Sequence, residues 1–292
     1  MARSQMLIVI LLLALGLSAC GARPTPSSDK MIVAVSIAPL ADFARQVGGA
    51  RVQVELLVPP GASPHIYEPT PSQLVMLNKA RVLVLNGVGL EYWADKVIQA
   101  ASNPHLLVVK ASDGLEILAS DEHDVAGNPH VWLSPLNAIH QVENIRDALS
   151  NADPAGAEIY RANADEYTGQ LRRLHEELLA RSRGFSAKEF ITFHAAWDYF
   201  ARDYGLKVAA VVETTPGKEP SPAEIAAIVE TARRIHARAI FAEPQFSPKA
   251  AQVIASESGA QVLFLNYIGM PPDYSYPAMM RANFQEIERA LK

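Results

Sequence analysis

The sequence predicts an α/β protein of two (βα)-type lobes, each with a central, mainly parallel sheet, joined by one long rigid helix. Three observations carry this prediction. From residue 31 short apolar runs alternate with amphipathic stretches, the alternation lapses and then resumes in the second half, and the interval at 154–184 reads as one continuous helix. Apolar runs separated by amphipathic helices are the pattern of βαβ units, which pair their strands in parallel. With 292 residues, 49% of them apolar, the chain is long enough for two modest domains and too apolar to be disordered.

The first lobe, residues 31–153, opens with the apolar run "MIVAVS" (31–36) as a buried strand, followed by a helix at 39–48. "VQVELLV" (52–58) is the next strand, 71–80 a helix, "RVLVLNG" (81–87) a strand, the region 90–101 a helix and "HLLVVK" (105–110) a strand. The second lobe, residues 185–292, repeats the scheme. Strands at 189–194, 206–212, 237–243 and 261–266 alternate with helices at 195–204, 222–236, 248–258 and from about 277. Between the lobes Pro154 suits a first helical position, Asp153 before it a cap, and Gly184 a stop. Tyr160, Ala164, Tyr167, Leu171, Leu174 and Leu178 step by four and three residues and keep one apolar stripe. Thirty residues at about 1.5 Å each reach about 45 Å, the length of a whole small domain, so this helix can run along both lobes as a spine. Periodicity alone leaves open a surface helix of one lobe or a coiled-coil seam.

The first residues differ from the rest. Arg3 is the only charge before "MLIVILLLALGL", and the small residues Ser18 and Ala19 precede Cys20. The apolar run has the length of a signal-peptide core rather than of a bilayer span, which assigns residues 1–19 to a signal peptide and 20–30, rich in Pro and Ser, to a tether. "LSAC" resembles a bacterial lipoprotein lipobox. That resemblance implies a lipid on Cys20 and a protein anchored outside the cytoplasmic membrane, in the cell envelope. Cys20 is the only cysteine, which excludes disulfides and thiolate metal sites. The net charge of −5, with both signs interspersed, excludes a basic footprint for nucleic acid or for a membrane surface.

Open α/β sheets place their sites in loops beyond the carboxyl ends of the strands. Three of the eight histidines stand in such places: His65 in "SPHIYEPTPSQ", His130 in "NPHVWLSP" and His194 at the end of "EFITFH". Two follow a proline, which restricts the loop that presents them and lowers the entropy lost on binding. Neutral imidazole is the commonest transition-metal ligand, and three of them leave one position of a tetrahedral zinc site to fill. A lone loop histidine is more often structural; three at equivalent strand ends point to a metal. His140, His175 and His236 fall in helices, His105 opens a strand, and His123 lies in the acidic run "SDEHD", where it is solvated or collects metal weakly.

These segments, together with "FHAAWDYFARDYGL", "KEPSPAEIA" and "IFAEPQFSPK", resemble the metal-binding receptors of bacterial zinc and manganese ABC importers, the cluster A-I or ZnuA/TroA-like solute-binding proteins. The resemblance runs from about residue 31 to the C-terminus. It implies one divalent ion in the cleft between the lobes, bound as cargo by His65, His130 and His194 and handed to an ABC permease by a monomeric receptor without catalysis. Similar proteins end the strand that here reads "VLFLN" with an aspartate, where this chain has Asn266. An amide oxygen is the weaker ligand, so Asn266 contributes weakly or through a water, or leaves the position to Glu68, Glu213 or Glu243. Glu68 is also the expected partner for the second nitrogen of His65. Three imidazoles favour zinc over manganese. The alternative is a zinc hydrolase or lyase using the open fourth position; against it stand the missing HExxH and the lack of a readable acid/base pair.

Overall fold

The computed structural model describes residues 30–119, 127–215, 217–269 and 274–292. The expected signal peptide, Cys20, the expected tether up to Asp29 and His123 lie outside the described residues. Among the described residues no helix is long and apolar enough to cross a membrane.

All eight expected strands form, each somewhat shorter than its apolar run. In the first half β1 (Met31–Val35), α1 (Ala38–Gly48), β2 (Val52–Leu56), α2 (Pro71–Lys79), β3 (Val82–Leu85), α3 (Ala94–Ala101) and β4 (Leu107–Lys110) follow in order. The strands pair in parallel as β2-β1-β3-β4, with Val33 opposite both Val54 and Val82. In the second half β5 (Glu189–Thr192), α6 (Asp198–Tyr204), β6 (Lys207–Val211), α7 (Pro222–Arg234), β7 (Ala239–Ala242), α8 (Lys249–Ser258), β8 (Gln261–Phe264) and α9 (Tyr276–Leu291) repeat the pattern, and the sheet has the same order, β6-β5-β7-β8. Helices α4 and α5 come between the halves and are described below. Interior strands β3 ("VLVL") and β7 ("AIFA") are buried throughout, as strands covered on both faces must be, whereas "VQVEL" and "KVAAV" tolerate polar residues at sheet edges. In each sheet the chain leaves the first strand in one direction and returns on its other side. The crevice at such a reversal lies beyond the carboxyl ends of β1 and β3, and of β5 and β7.

The spine departs from its expected bounds. Pro154–Gly156 form a single 3₁₀ turn, and α5 proper runs over Ala157–Ser182, 26 residues. Asp153 does not cap it. Its carboxylate instead accepts from Arg51 (2.8 and 2.6 Å) and from the Tyr160 hydroxyl (2.7 Å). The stripe Tyr160, Ala164, Tyr167, Leu171, Leu174 and Leu178 is buried along its whole length. It belongs to one continuous apolar core that includes Val33 and Phe43 of the first half and Phe200 and Phe284 of the second. The α5 helix is therefore shared packing rather than a free hinge. Its Tyr167 hydroxyl donates to Asp42 of α1 (2.7 Å), and the same carboxylate accepts the backbone N–H of Tyr276 at the start of α9 (2.9 Å).

The sequence placed His140 in a helix without bounds. That helix is α4, Pro135–Ala152, opened by Pro135 and capped by the Ser134 hydroxyl on the Asn137 N–H. Two other histidines are displaced from expectation. His236 sits past the end of α7 at φ 51°, in a turn, and His105 precedes β4.

Candidate metal centre

His65 lies in a 3₁₀ turn, Pro64–Ile66, within the connection from β2 to α2. Gln73 ties this connection together: its amide N–H donates to the Leu57 carbonyl (2.6 Å) while its oxygen accepts from the Tyr67 hydroxyl (2.6 Å) and the Thr70 N–H (2.9 Å). Tyr92 adds a bond to the Tyr67 carbonyl (3.0 Å). The prolines and Gln73 thus fix the loop from both ends.

His130 is fully buried and follows Pro129, whose carbonyl accepts from Asn86 at the end of β3 (2.8 Å). Asn86 is itself held by Gln141 of α4 (3.1 Å), and the buried Glu91 carboxylate accepts the Asn86 and Gly87 N–H groups. Asn128 accepts the His130 backbone N–H (3.0 Å) and stands 2.9 Å from its ring Nδ1, while its amide donates to Ala195 O and to Asp198, each at 2.8 Å. Asn128 therefore links the loop of the first half to the segment after His194 in the second. An oxygen against Nδ1 keeps the proton there and leaves the Nε2 lone pair bare.

His194 lies two residues beyond the end of β5 and has no exposure. Its Nδ1 faces Glu243 Oε2 at 2.5 Å, and Trp197 Nε1 donates to the other oxygen of that carboxylate (3.2 Å). Glu243 ends β7, the strand beside β5, so the switch point of the second sheet brings the two together.

The three rings converge. His65 Nε2 and His194 Nε2 lie 3.0 and 3.1 Å from His130 Nε2, and the three imidazoles form a metal-ligand group whose ligand atoms all lie within 4.8 Å of one another. A bare His130 Nε2 has one lone pair and cannot satisfy two neighbours, whereas a cation among the three nitrogens satisfies all of them. Zinc–nitrogen bonds of about 2.0–2.1 Å put tetrahedral ligands about 3.3 Å apart, close to these separations. Burial, followed by electrostatic interaction with the neighbouring imidazoles, lowers the His65 imidazole to about 3 and holds that of His130 well below its ordinary range. Both stay neutral near pH 7, the form that binds metal. Aromatic rings wall the centre: Tyr267 lies 4.6 Å from His194 and 5.9 Å from His130, centroid to centroid, with Phe246 5.4 Å from His194 and Trp132 5.3 Å from His130.

The carboxylates expected as candidates for the remaining ligand stand outside the group of three imidazoles. The Asn266 side-chain oxygen accepts the N–H groups of Ile268 (3.3 Å) and Gly269 (2.8 Å), so both its lone pairs close its own turn. Gly269 takes φ 81°, and a Cβ there would meet the Tyr274 ring at 1.7 Å. Glu68 is exposed, and among the described residues it makes no hydrogen bond to His65. The carboxylate that backs a histidine is Glu243, behind His194 and away from the converging nitrogens. Glu213 is buried and accepts the Gly217 N–H (3.2 Å), and its carboxyl is raised chiefly by burial. It lines, with Ser63, Tyr67, Glu68, Glu219 and Gln245, a cleft of about 520 Å³ beside His65. Sequence reasoning missed Asn128 and the aromatic wall. An Asn two residues before a histidine was a local signal for the first, since Asn bonds its own backbone two residues on.

Comparison with known proteins agrees with this geometry. The family model described as the periplasmic zinc-uptake complex component A, ZnuA, matches residues 33–290. The high-affinity zinc uptake system protein ZnuA of Bacillus subtilis is 32% identical over 277 residues, 89% of this chain and 87% of that protein. The manganese-binding lipoprotein MntA of Halalkalibacterium halodurans is 31% identical over 261 residues, 87% of this chain and 85% of that protein. A crystal structure of ZnuA superposes with a TM-score of 0.83 at 35% identity, covering 90% of this chain and 99% of that one. A family match over nearly the whole fold, with two parallel sheets meeting at three converging imidazoles, leaves one conclusion: the chain belongs to the ZnuA family of zinc-uptake components.

Proposed function

We propose that this protein is the extracytoplasmic receptor of an ABC importer, binding one divalent ion, zinc in preference to manganese, through His65, His130 and His194. It delivers that ion to the permease. Its family is one of metal-binding transport components rather than enzymes. Its lobes are residues 31–153 and 185–292, with 154–184 between them, and it acts as a monomer held to the membrane by a lipid on Cys20 after loss of residues 1–19. The observation that carries the reading is the convergence of three imidazoles, the Nε2 atoms of His65 and His194 each within hydrogen-bond distance of His130 Nε2, with the outer nitrogens of His130 and His194 facing Asn128 and Glu243.

Relatives name both zinc and manganese. The choice of zinc rests on ligand chemistry: nitrogen donors favour zinc over manganese in the Irving–Williams order, and no carboxylate of the described residues joins the three nitrogens. The test is titration of the metal-stripped mature protein with each ion, beside elemental analysis of the protein as purified. One zinc per chain, bound at least about tenfold more tightly than manganese, is expected from that order. Equal or tighter manganese binding overturns the zinc assignment.

A further inference from the structure

Among the described residues, two buried hydroxyls beside the metal centre are without hydrogen bonds. Tyr267 Oη belongs to a residue with no exposure whose ring packs on His194 and His130, and Ser63 Oγ belongs to a residue 8% exposed, two positions before His65. They come from opposite halves of the chain and lie beside one another without closing a hydrogen bond of ordinary geometry. A buried hydroxyl with no partner costs about 1–3 kcal/mol, which makes two at one place a feature to explain. Each can donate one proton and accept others.

We propose, resting on the receptor reading above, that the fourth ligand of the captured ion is a water molecule held by the hydroxyls of Tyr267 and Ser63. The side chains expected to fill that position are engaged elsewhere. The Asn266 oxygen closes its turn, Glu243 stands behind His194, and Glu213 takes the Gly217 N–H. Buried waters typically make about three bonds, and here they are one to the ion and one to each hydroxyl. Ser63 also lines the cleft beside His65, which gives water and small anions a route in. Three imidazoles and a water form an uncharged ligand set, which suits zinc, cobalt and nickel better than manganese. In such a set the last bond to break on delivery is not to a protein carboxylate.

Cobalt(II) is the probe, because its visible bands report ligand number and exchange. Wild type, Tyr267→Phe, Ser63→Ala, the double variant and His194→Ala are loaded with cobalt, titrated with azide, and compared in zinc affinity. Phe keeps the ring packing, and the Trp132 bond to the backbone carbonyl of residue 267 is untouched. The expected result is a four-coordinate spectrum in wild type that azide shifts. Each single variant should still bind one ion per chain, but with zinc affinity lowered roughly threefold to tenfold, the value of one hydrogen bond, and with azide acting at lower concentration. A wild-type spectrum that azide leaves unchanged shows a protein side chain in the fourth position and overturns the proposal. So do variants whose zinc affinity and azide response both stay within twofold of wild type. Thermal unfolding of the metal-free variants verifies their fold, and Ser63→Ala tests the proposal independently if Tyr267→Phe is unstable. A wild type that takes up neither metal, or a His194→Ala variant that binds as well as wild type, defeats the receptor reading itself.

Discussion

The two halves of the molecule share one strand order but present their histidines differently. The first supplies His65 and His130 from loops, one in a proline-fixed turn and the other in the long connection after β4. The second supplies His194 from the end of an interior strand, with Glu243 from the adjacent strand directly behind it. His194 is wholly buried, whereas His65 is partly exposed at the cleft. A sheet switch point therefore supplies a histidine and its backing carboxylate from adjacent strands, while the histidines on loops rest on bonds made by Gln73 and Asn128.

The largest effect expected from that difference is at the ligands. His194→Ala should lower zinc affinity by more than about a hundredfold, beyond the range for losing an outer partner, and His65→Ala by less, as measured by competition with a chelator. Equal losses at both would erase the distinction between the halves. Next come the supporting residues. Glu243→Gln should weaken zinc binding about ten- to a hundredfold, whereas Glu68→Gln and Asn266→Asp, whose side chains serve the surface and a turn, should stay within about twofold. A large effect of Glu68→Gln would return the orienting role to the first half. The smallest effect is on the stability of the empty protein in acid. The folded protein holds His65 near 3, against an ordinary value of 6.5, so the unfolded chain binds the proton first. The contribution of His65 is complete above about pH 6.5 and declines as pH falls toward 3. Urea unfolding of metal-free protein at pH 7.5 and 4.5 should therefore show a smaller acid loss for His65→Asn than for wild type.

What the sequence disclosed follows from the range of each interaction. Eight strands were legible because a buried parallel strand is a local apolar run, and the stripe from Tyr160 to Leu178 because helical packing repeats within a turn or two. His65, His130 and His194 were legible because strand ends in this fold class face one crevice. The partners were not. Asn128 reaches Ala195 and Asp198 across 67 and 70 residues, Trp197 meets Glu243 across 46, and no local pattern records such pairings. Asp153 was read as a cap because its neighbours fit one, but the competing Arg51 lies 102 residues away. Asn266 was read as a weak or water-mediated ligand because similar proteins carry an aspartate there, while the turn it closes depends on Gly269 and on Asn283, whose amide brackets the Asn266 backbone.

The Asp42 carboxylate bears on the order in which the chain can be completed. It is buried in the first helix and accepts from Gln46, from the Tyr167 hydroxyl and, 234 residues later, from the N–H of Tyr276. During synthesis or threading from the N-terminus, every intermediate shorter than that carries a carboxylate committed to the interior without its one backbone donor, a cost of kcal/mol order. The last helix thus acts as the closing stitch of the whole fold. A chain truncated before Tyr276 keeps all eight strands, all three histidines and the Tyr167 bond, and still lacks the N–H that ties the first helix to the last.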